Sequence, residues 1–204
     1  MYVPDHFAER DREVLHGWVR RFPFALLVTA GGGGFEATHL PLWLDAGRGR
    51  EGTLYGHVAR ANPHWRCFDG ALPALAVFSG PHAYVSPRWF ERESVPTWNY
   101  VAVHAEGTPR LLENPAAVGE LLARLTNEHD GPGGFDALPP DLVARMSRGI
   151  VAFELPIERL TGKAKLSQNK SAGDRAGAIA GLEAQGEPHA LGVAALMRGA
   201  ETRP

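Results

Sequence analysis

All three lysines of this chain lie within eight residues, while its eighteen arginines lie elsewhere. The stretch is Gly162-Lys163-Ala164-Lys165-Leu166-Ser167-Gln168-Asn169-Lys170. A lysine is a compact, flexible point charge, whereas an arginine is a planar fork. The rarer cation, set beside Ser, Gln and Asn, makes a donor set suited to an anion, with phosphate the obvious candidate. Chance clustering on a solvated loop is the competing reading.

Two further polar clusters fall beside expected strands. Gly56-His57-Val58-Ala59-Arg60-Ala61-Asn62-Pro63-His64-Trp65 leaves a strand and enters a short helix. Backbone N–H groups at such a helix start, with Arg60 beside them, can hold an anion. A plain basic turn explains the same residues. In Val95-Pro96-Thr97-Trp98-Asn99-Tyr100, Trp and Tyr could form a flat apolar wall with hydrogen-bonding groups at its edge. Aromatic residues packing into a core are the commoner case. Together the clusters hold cations, amides, hydroxyls and aromatic faces, the inventory that a flat aromatic phosphate ester needs.

Other chemistries fit less well. The nine histidines include no His-Glu-x-x-His, and the single cysteine, Cys67, offers no metal-binding pair. His57 and His64 flank one loop and could approach each other. Heme held by one axial histidine has no spacing signature, and it stands below flavin. There is no Gly-x-Ser-x-Gly elbow, and Cys67 is read as a small semi-buried residue.

Bulk properties bound the class. The chain has 204 residues, is 44% hydrophobic and 22% charged, and carries a net charge of −2. That suits a soluble globular protein and lacks the basic face typical of a DNA-binding domain. One cysteine excludes an internal disulfide framework and fits a reducing cytoplasm. The first residues show no signal-peptide pattern, and no apolar run reaches membrane-spanning length.

The elements that must position these clusters follow from periodicity. Asp5 can cap a helix running to about Arg21, on the stripe Val14, Leu15, Trp18, Val19 and Phe22. Expected strands cover 24–29, 35–44, 53–58, 74–78, 83–86, 97–104, 150–157 and 160–166. The Gly31–Gly34 run is a hairpin connection, since no Gly-Lys-Ser/Thr follows it. Asn114 caps a helix to about His129, Pro139 or Pro140 starts a short one to Arg148, and two Ala-rich helices close the chain at about 171–199. About eight short strands with peripheral helices favour an antiparallel barrel, in one domain over residues 1–204.

Several motifs, taken in order, resemble the PaiB family of FMN-binding negative transcriptional regulators. They include Met1-Tyr2-Val3-Pro4, Ala37-Thr38-His39-Leu40-Pro41-Leu42, the Gly56 to Pro63 turn, Gly80-Pro81-His82-Ala83-Tyr84-Val85-Ser86-Pro87, Val95 to Tyr100, and Gly162 to Lys170. The resemblance implies a mainly β fold with peripheral helices, the FMN-binding split β-barrel of pyridoxamine-phosphate-oxidase-like flavoproteins. It implies a cytoplasmic homodimer with a flavin in an interface groove, and repression of transcription in bacteria with DNA as partner. Its residue-level implications place the FMN phosphate at the turn of His57, Arg60 and Asn62, with Arg60 as leading cation. They assign Lys163, Lys165, Ser167 and Gln168 to phosphate or flavin-edge contacts. Trp98 and Asn99 would border the isoalloxazine, and Thr38 and His39 would flank the same groove. The alternatives are a flavin-dependent oxidoreductase using a reduced nicotinamide, and a heme-binding or heme-degrading barrel. No residue is assigned as catalytic or as a metal ligand.

Overall fold

The computed structural model describes residues 1–31 and 34–201. Gly32 and Gly33, the middle of the expected hairpin connection, lie outside the described residues. A 3-10 turn at Asp5–Phe7 leads into β1 (Ala8–Glu9) and α1 (Arg12–Arg21). Four strands follow: β2 (Phe24–Gly31), β3 (Gly34–Pro41), β4 (Trp43–Asp45) and β5 (Thr53–Ala59). After a 3-10 turn at Pro63–Cys67 come β6 (Ala74–Val85), a third such turn at Pro87–Trp89, β7 (Thr97–Gly107) and β8 (Arg110–Leu111). The chain ends with α2 (Pro115–Asp130), α3 (Pro140–Ser147), β9 (Ile150–Lys165), α4 (Ala172–Gln185) and α5 (Pro188–Glu201). Strand order is β3-β2-β6-β7-β9-β5-β4, with β1 and β8 also pairing β9. Among the described residues no helix is long and apolar enough to cross a membrane.

Several boundaries differ from the sequence expectation, each for a local reason. The first helix starts at Arg12 instead of just after Asp5. Asp11 accepts from the Glu13 and Val14 amides at 2.8 and 3.4 Å, taking the capping role. Asp5 instead pairs with Arg10 at 2.6 Å. The expected pair 74–78 and 83–86 is one strand, β6, which runs through Gly80-Pro81. The pair 150–157 and 160–166 is likewise one strand, β9, whose exposed Glu158-Arg159 only interrupts the apolar pattern. The expected strand 35–44 is two, β3 and β4, parted where the Leu42 amide turns to the Pro23 carbonyl at 3.0 Å.

The residues group into two compact units. One comprises Met1–Leu15, Ser79–Val103 and the chain from Thr161 onward; the other comprises His16–Phe78 and His104–Leu160.

In the second unit β2 pairs with β3 and β6, and β5 pairs with β4 and β9, all antiparallel. Leu27, Leu54, Phe68, Phe78, Phe153 and Leu155 are fully buried there. Each such side chain contributes roughly 1.5–3 kcal/mol of burial. Gly56 sits at a tight point, where a Cβ would lie 2.6 Å from Leu42 and 3.2 Å from the Phe153 ring. On the other face of β5, Tyr55 packs with Leu121 and Leu125 of α2 and with Ala152. Asn114 caps that helix by accepting from the Ala116 amide at 2.9 Å, as its sequence suggests.

In the first unit α4 and α5 pack through Ala178, Ile179, Leu182, Ala190, Val193, Ala194 and Met197, all buried. Ser171 caps α4, accepting from the Asp174 amide at 3.1 Å. Two glycines of α4 admit Trp89 closely. A Cβ on Gly177 would lie 2.1 Å from the Trp89 carbonyl oxygen, and one on Gly181 2.2 Å from its ring.

Candidate functional site

The lysine motif occupies the end of β9 and the turn that follows. Lys163 is 8% exposed. Its Nζ donates to the Tyr2 carbonyl at 3.1 Å and lies 5.6 and 5.4 Å from the Tyr2 and Tyr100 ring centroids. Lys165, two residues on and hence on the same face of the strand, donates from Nζ to Thr97 Oγ1. Among the described residues neither ammonium is in an ion pair. Their partners are a carbonyl, a hydroxyl and aromatic faces. Partial burial lowers the Lys165 pKa; Tyr100 opposes that shift and the Lys163 charge adds to it. Lys170 differs. It donates to Ser94 Oγ at 2.8 Å, covers the Phe90 ring at 5.0 Å, and interacts with the Asp174 carboxylate.

The turn beneath these lysines is held by amides and a hydroxyl. Asn99 is completely buried, and its Nδ2 donates to Ser167 Oγ at 2.9 Å and to Met197 Sδ at 3.5 Å. Ser167 takes φ 61°, a left-handed conformation that L-residues other than Gly, Asn and Asp seldom adopt. Gln168 closes the turn on itself: its Oε1 accepts from the Leu166 amide at 2.8 Å, and its Nε2 donates to the Ala164 carbonyl at 2.6 Å. Gln168 thus spends its polar atoms on the backbone that carries the lysines, while Asn99 and Ser167 bond to each other's side chains. Trp98 alternates to the other face of β7 and is 53% exposed, with His82 and Tyr84 rings 6.2 and 6.3 Å away.

The residues expected around Arg60 resolve differently. Arg60 Nε and Nη2 donate to the Arg148 and Ile150 carbonyls at 3.0 and 2.9 Å. A cation at the C-terminal end of α3 is placed where free carbonyls and the helix dipole favour it. Its guanidinium therefore braces the α3–β9 junction. Thr38 and Asn62 do come together: Asn62 Nδ2 donates to Thr38 Oγ1 at 3.0 Å. They meet around His64, a fully buried ring that sequence reasoning considered only as a partner for His57. His64 Nδ1 lies 2.8 Å from Thr38 Oγ1, and its Nε2 lies 3.1 Å from Thr29 Oγ1. Burial lowers the His64 pKa, with Glu36 opposing. This network satisfies its own polar atoms.

His39 is exposed and stacks on Phe24 with ring centroids 6.1 Å apart. His57, half-buried on β5, turns to a hollow under α2 and α3. Thr29, Thr97, Tyr2 and Tyr100 were not expected as partners. Their contacts span 35 to 161 positions of chain, which no local motif records, although Tyr2, Thr97 and Tyr100 sit in motifs already singled out. Among the described residues no group of three or more His, Cys, Asp or Glu could hold a metal.

The arrangement fits a bound phosphate monoester. Two ammonium groups at one strand end, partly withdrawn from water and lacking a carboxylate, are costly unless an anion completes them. A phosphate monoester would supply that charge, and exposed aromatic rings offer apolar faces for a planar ring system.

Comparison with known proteins points the same way. A family model described as "Putative FMN-binding domain" matches residues 1–159. The "Protease synthase and sporulation protein PAI 2" of Bacillus subtilis is 37% identical over 200 residues, covering 97% of this chain and 96% of that protein. Among solved structures, the flavocytochrome Anf3 of Azotobacter vinelandii superposes with TM-score 0.65 at 15% identity, covering 80% of this chain and 72% of that one. An FAD- and heme-binding protein of Mycobacterium smegmatis gives TM-score 0.65 at 16% identity, over 83% and 78% of the two chains. These structural likenesses show the fold, a mostly antiparallel split barrel with five helices. The lysine motif lies beyond the family-model match, so its reading rests on the geometry above and on its place within the span shared with the Bacillus protein.

Proposed function

We propose that this chain, which belongs to the PaiB-type family of FMN-binding domains, holds FMN with its phosphate on the Lys163–Lys165 pair. The carrying observation is that pair itself: two neighbouring ammonium groups, one almost buried, with only neutral partners among the described residues. Asn99, Ser167 and Gln168 are positioning residues that fix the turn. Exposed Tyr2, 5.6 Å from Lys163 Nζ, is an aromatic face beside the pair, and exposed Trp98 and Tyr84 are further candidates for an isoalloxazine contact. When bound, flavin supplies one- or two-electron redox chemistry.

The reading extends to a homodimeric regulator of transcription. Support for self-association comes from an apolar sheet face in the second unit. Phe35, Ala37 and His39 of β3 stand opposite Ala30, Val28 and Leu26 of β2, so they share one face. Phe35 is 80% exposed and Phe24, at the end of the same row, 65%. Two such large exposed rings, one on the edge strand β3 and one on its neighbour β2, suit burial against a second copy. The regulatory role is supported by the PaiB resemblance, and the Bacillus relative's own name links that protein to sporulation.

The test has two arms. FMN titration should raise the melting temperature by mass action, and purified protein should show a flavin absorption spectrum. Protein that stays colourless and gains no stability from FMN contradicts the cofactor assignment. Retardation of a genomic DNA fragment at low salt by the FMN-loaded protein is the expected regulatory outcome. Absence of any shift argues against direct repression.

A further inference from the structure

The hollow under α2 and α3 has no part in the flavin reading. It measures about 280 Å³, and its walls include Leu122 of α2, Leu142 and Met146 of α3, and Phe135 and Leu138 from the segment between them. No Asp, Glu, Lys or Arg is among its lining residues. Leu138 and Met146 are 38% and 62% exposed, an apolar rim. The floor is His57, brought there by strand alternation. Residues 55 and 57 share the face of β5 that α2 covers, and His57 stands opposite Ala152, which leaves room above the ring.

His57 Nδ1 is buried and has no hydrogen-bond partner among the described residues. Such an orphaned group costs roughly 1–3 kcal/mol and marks a place where a partner is wanted. The wall carries two hydroxyls, Thr126 and Ser147, and Ser147 already donates to the Val143 carbonyl at 2.7 Å. We propose that this hollow is a binding pocket for a small neutral aromatic alcohol of one or two rings, anchored by a hydrogen bond to His57 Nδ1.

Size, lining and charge select that class. Pockets for drug-sized ligands run from roughly 300 to 1,000 Å³, so this one takes something smaller. Apart from the Thr126 and Ser147 hydroxyls, the walls are hydrocarbon and aromatic. A hydroxyl either donates to an imidazole nitrogen or accepts from it, so it satisfies His57 in either tautomer. Burial lowers the His57 pKa, which favours the neutral ring, and a carboxylate ligand would find no cation among the lining residues. A single trapped water is the competing occupant, but it would need two to four polar partners in a mostly apolar space.

Calorimetric titration of the full chain with 1-naphthol and with naphthalene tests this. The two probes share a ring system and differ by the hydroxyl. Wild type should bind 1-naphthol at least tenfold more tightly than naphthalene. His57→Leu should erase that preference, and Leu142→Trp, which fills the space, should abolish binding of both. Equal affinities for the two probes in wild type, or no binding of either, overturns the proposal without any variant. So does a preference that survives in His57→Leu. FMN titration of Leu142→Trp separates the two readings: unchanged FMN affinity is expected. Loss of FMN together with naphthol would place this hollow in the flavin site and overturn the pocket as proposed. The pocket does not rest on the flavin reading, because naphthol binding is measured by itself.

Discussion

At the scale of single residues, charge compensation separates the three lysines. Lys163 and Lys165 have neutral partners, while Lys170 lies within the influence of Asp174. Lys165→Ala should therefore weaken FMN binding at least tenfold, and Lys170→Ala less than twofold, as measured by flavin fluorescence titration. Equal effects would return the motif to a solvated cluster. His64 makes a second prediction at this scale. Its folded-state pKa lies below the ordinary 6.5 because the ring is buried. The unfolded chain then binds more protons in the window below about pH 6.5, so stability should fall as pH drops through it and stay flat above. Urea unfolding at pH 5.5 and 7.5 measures this, with a smaller difference expected in His64→Gln. An unchanged difference would mean that other groups, His57 and His104 among them, carry the whole effect.

At the scale of elements, α4 makes the sharpest claim. Gly177 lets the helix approach the Trp89 carbonyl so closely that a Cβ would lie 2.1 Å away, whereas Gly119 of α2 has nothing within 4 Å of its Cβ position. Gly177→Ala should cost about 1–3 kcal/mol through forced displacement of backbone. Gly119→Ala should gain up to about 1 kcal/mol from helix propensity alone. Chemical denaturation of both variants checks the opposite signs. Much of this level was legible in the sequence: the Asn114 cap, the short helix after Pro139, and most strands. What was missed has physical causes. Asp5 and Asp11 are equally good caps on paper, and only the pairing of β1 with β9 decides between them. Gly80-Pro81 and Glu158-Arg159 look like breaks, yet strand pairing carries the chain through both. Arg60 is expected as a phosphate cation because it stands beside a helix start in a motif that resembles the family's. Its actual partners are carbonyls 88 and 90 positions away, which no local pattern reveals. The lysine motif was visible because composition alone isolates it. The Thr29–His64–Thr38 network was not, because its members are ordinary residues joined only by folding.

At the scale of the whole molecule, the proposed self-association is open to a direct test. Phe35→Asp, on the exposed row of β3, should convert a dimer to a monomer in analytical ultracentrifugation and leave the fold intact by circular dichroism. A monomeric wild type would contradict the self-association reading. The central claim, though, is that the molecule recognises its cofactor by the phosphate at Lys165. The most direct measurement is a cycle of four dissociation constants, for FMN and riboflavin against wild type and Lys165→Ala. These ligands share the isoalloxazine and ribityl chain and differ only in the phosphate. The account predicts that wild type prefers FMN over riboflavin by at least tenfold, about 1.4 kcal/mol, and that this preference collapses in the variant. An FMN preference of the same size in both proteins would show that the phosphate is held elsewhere and would contradict it.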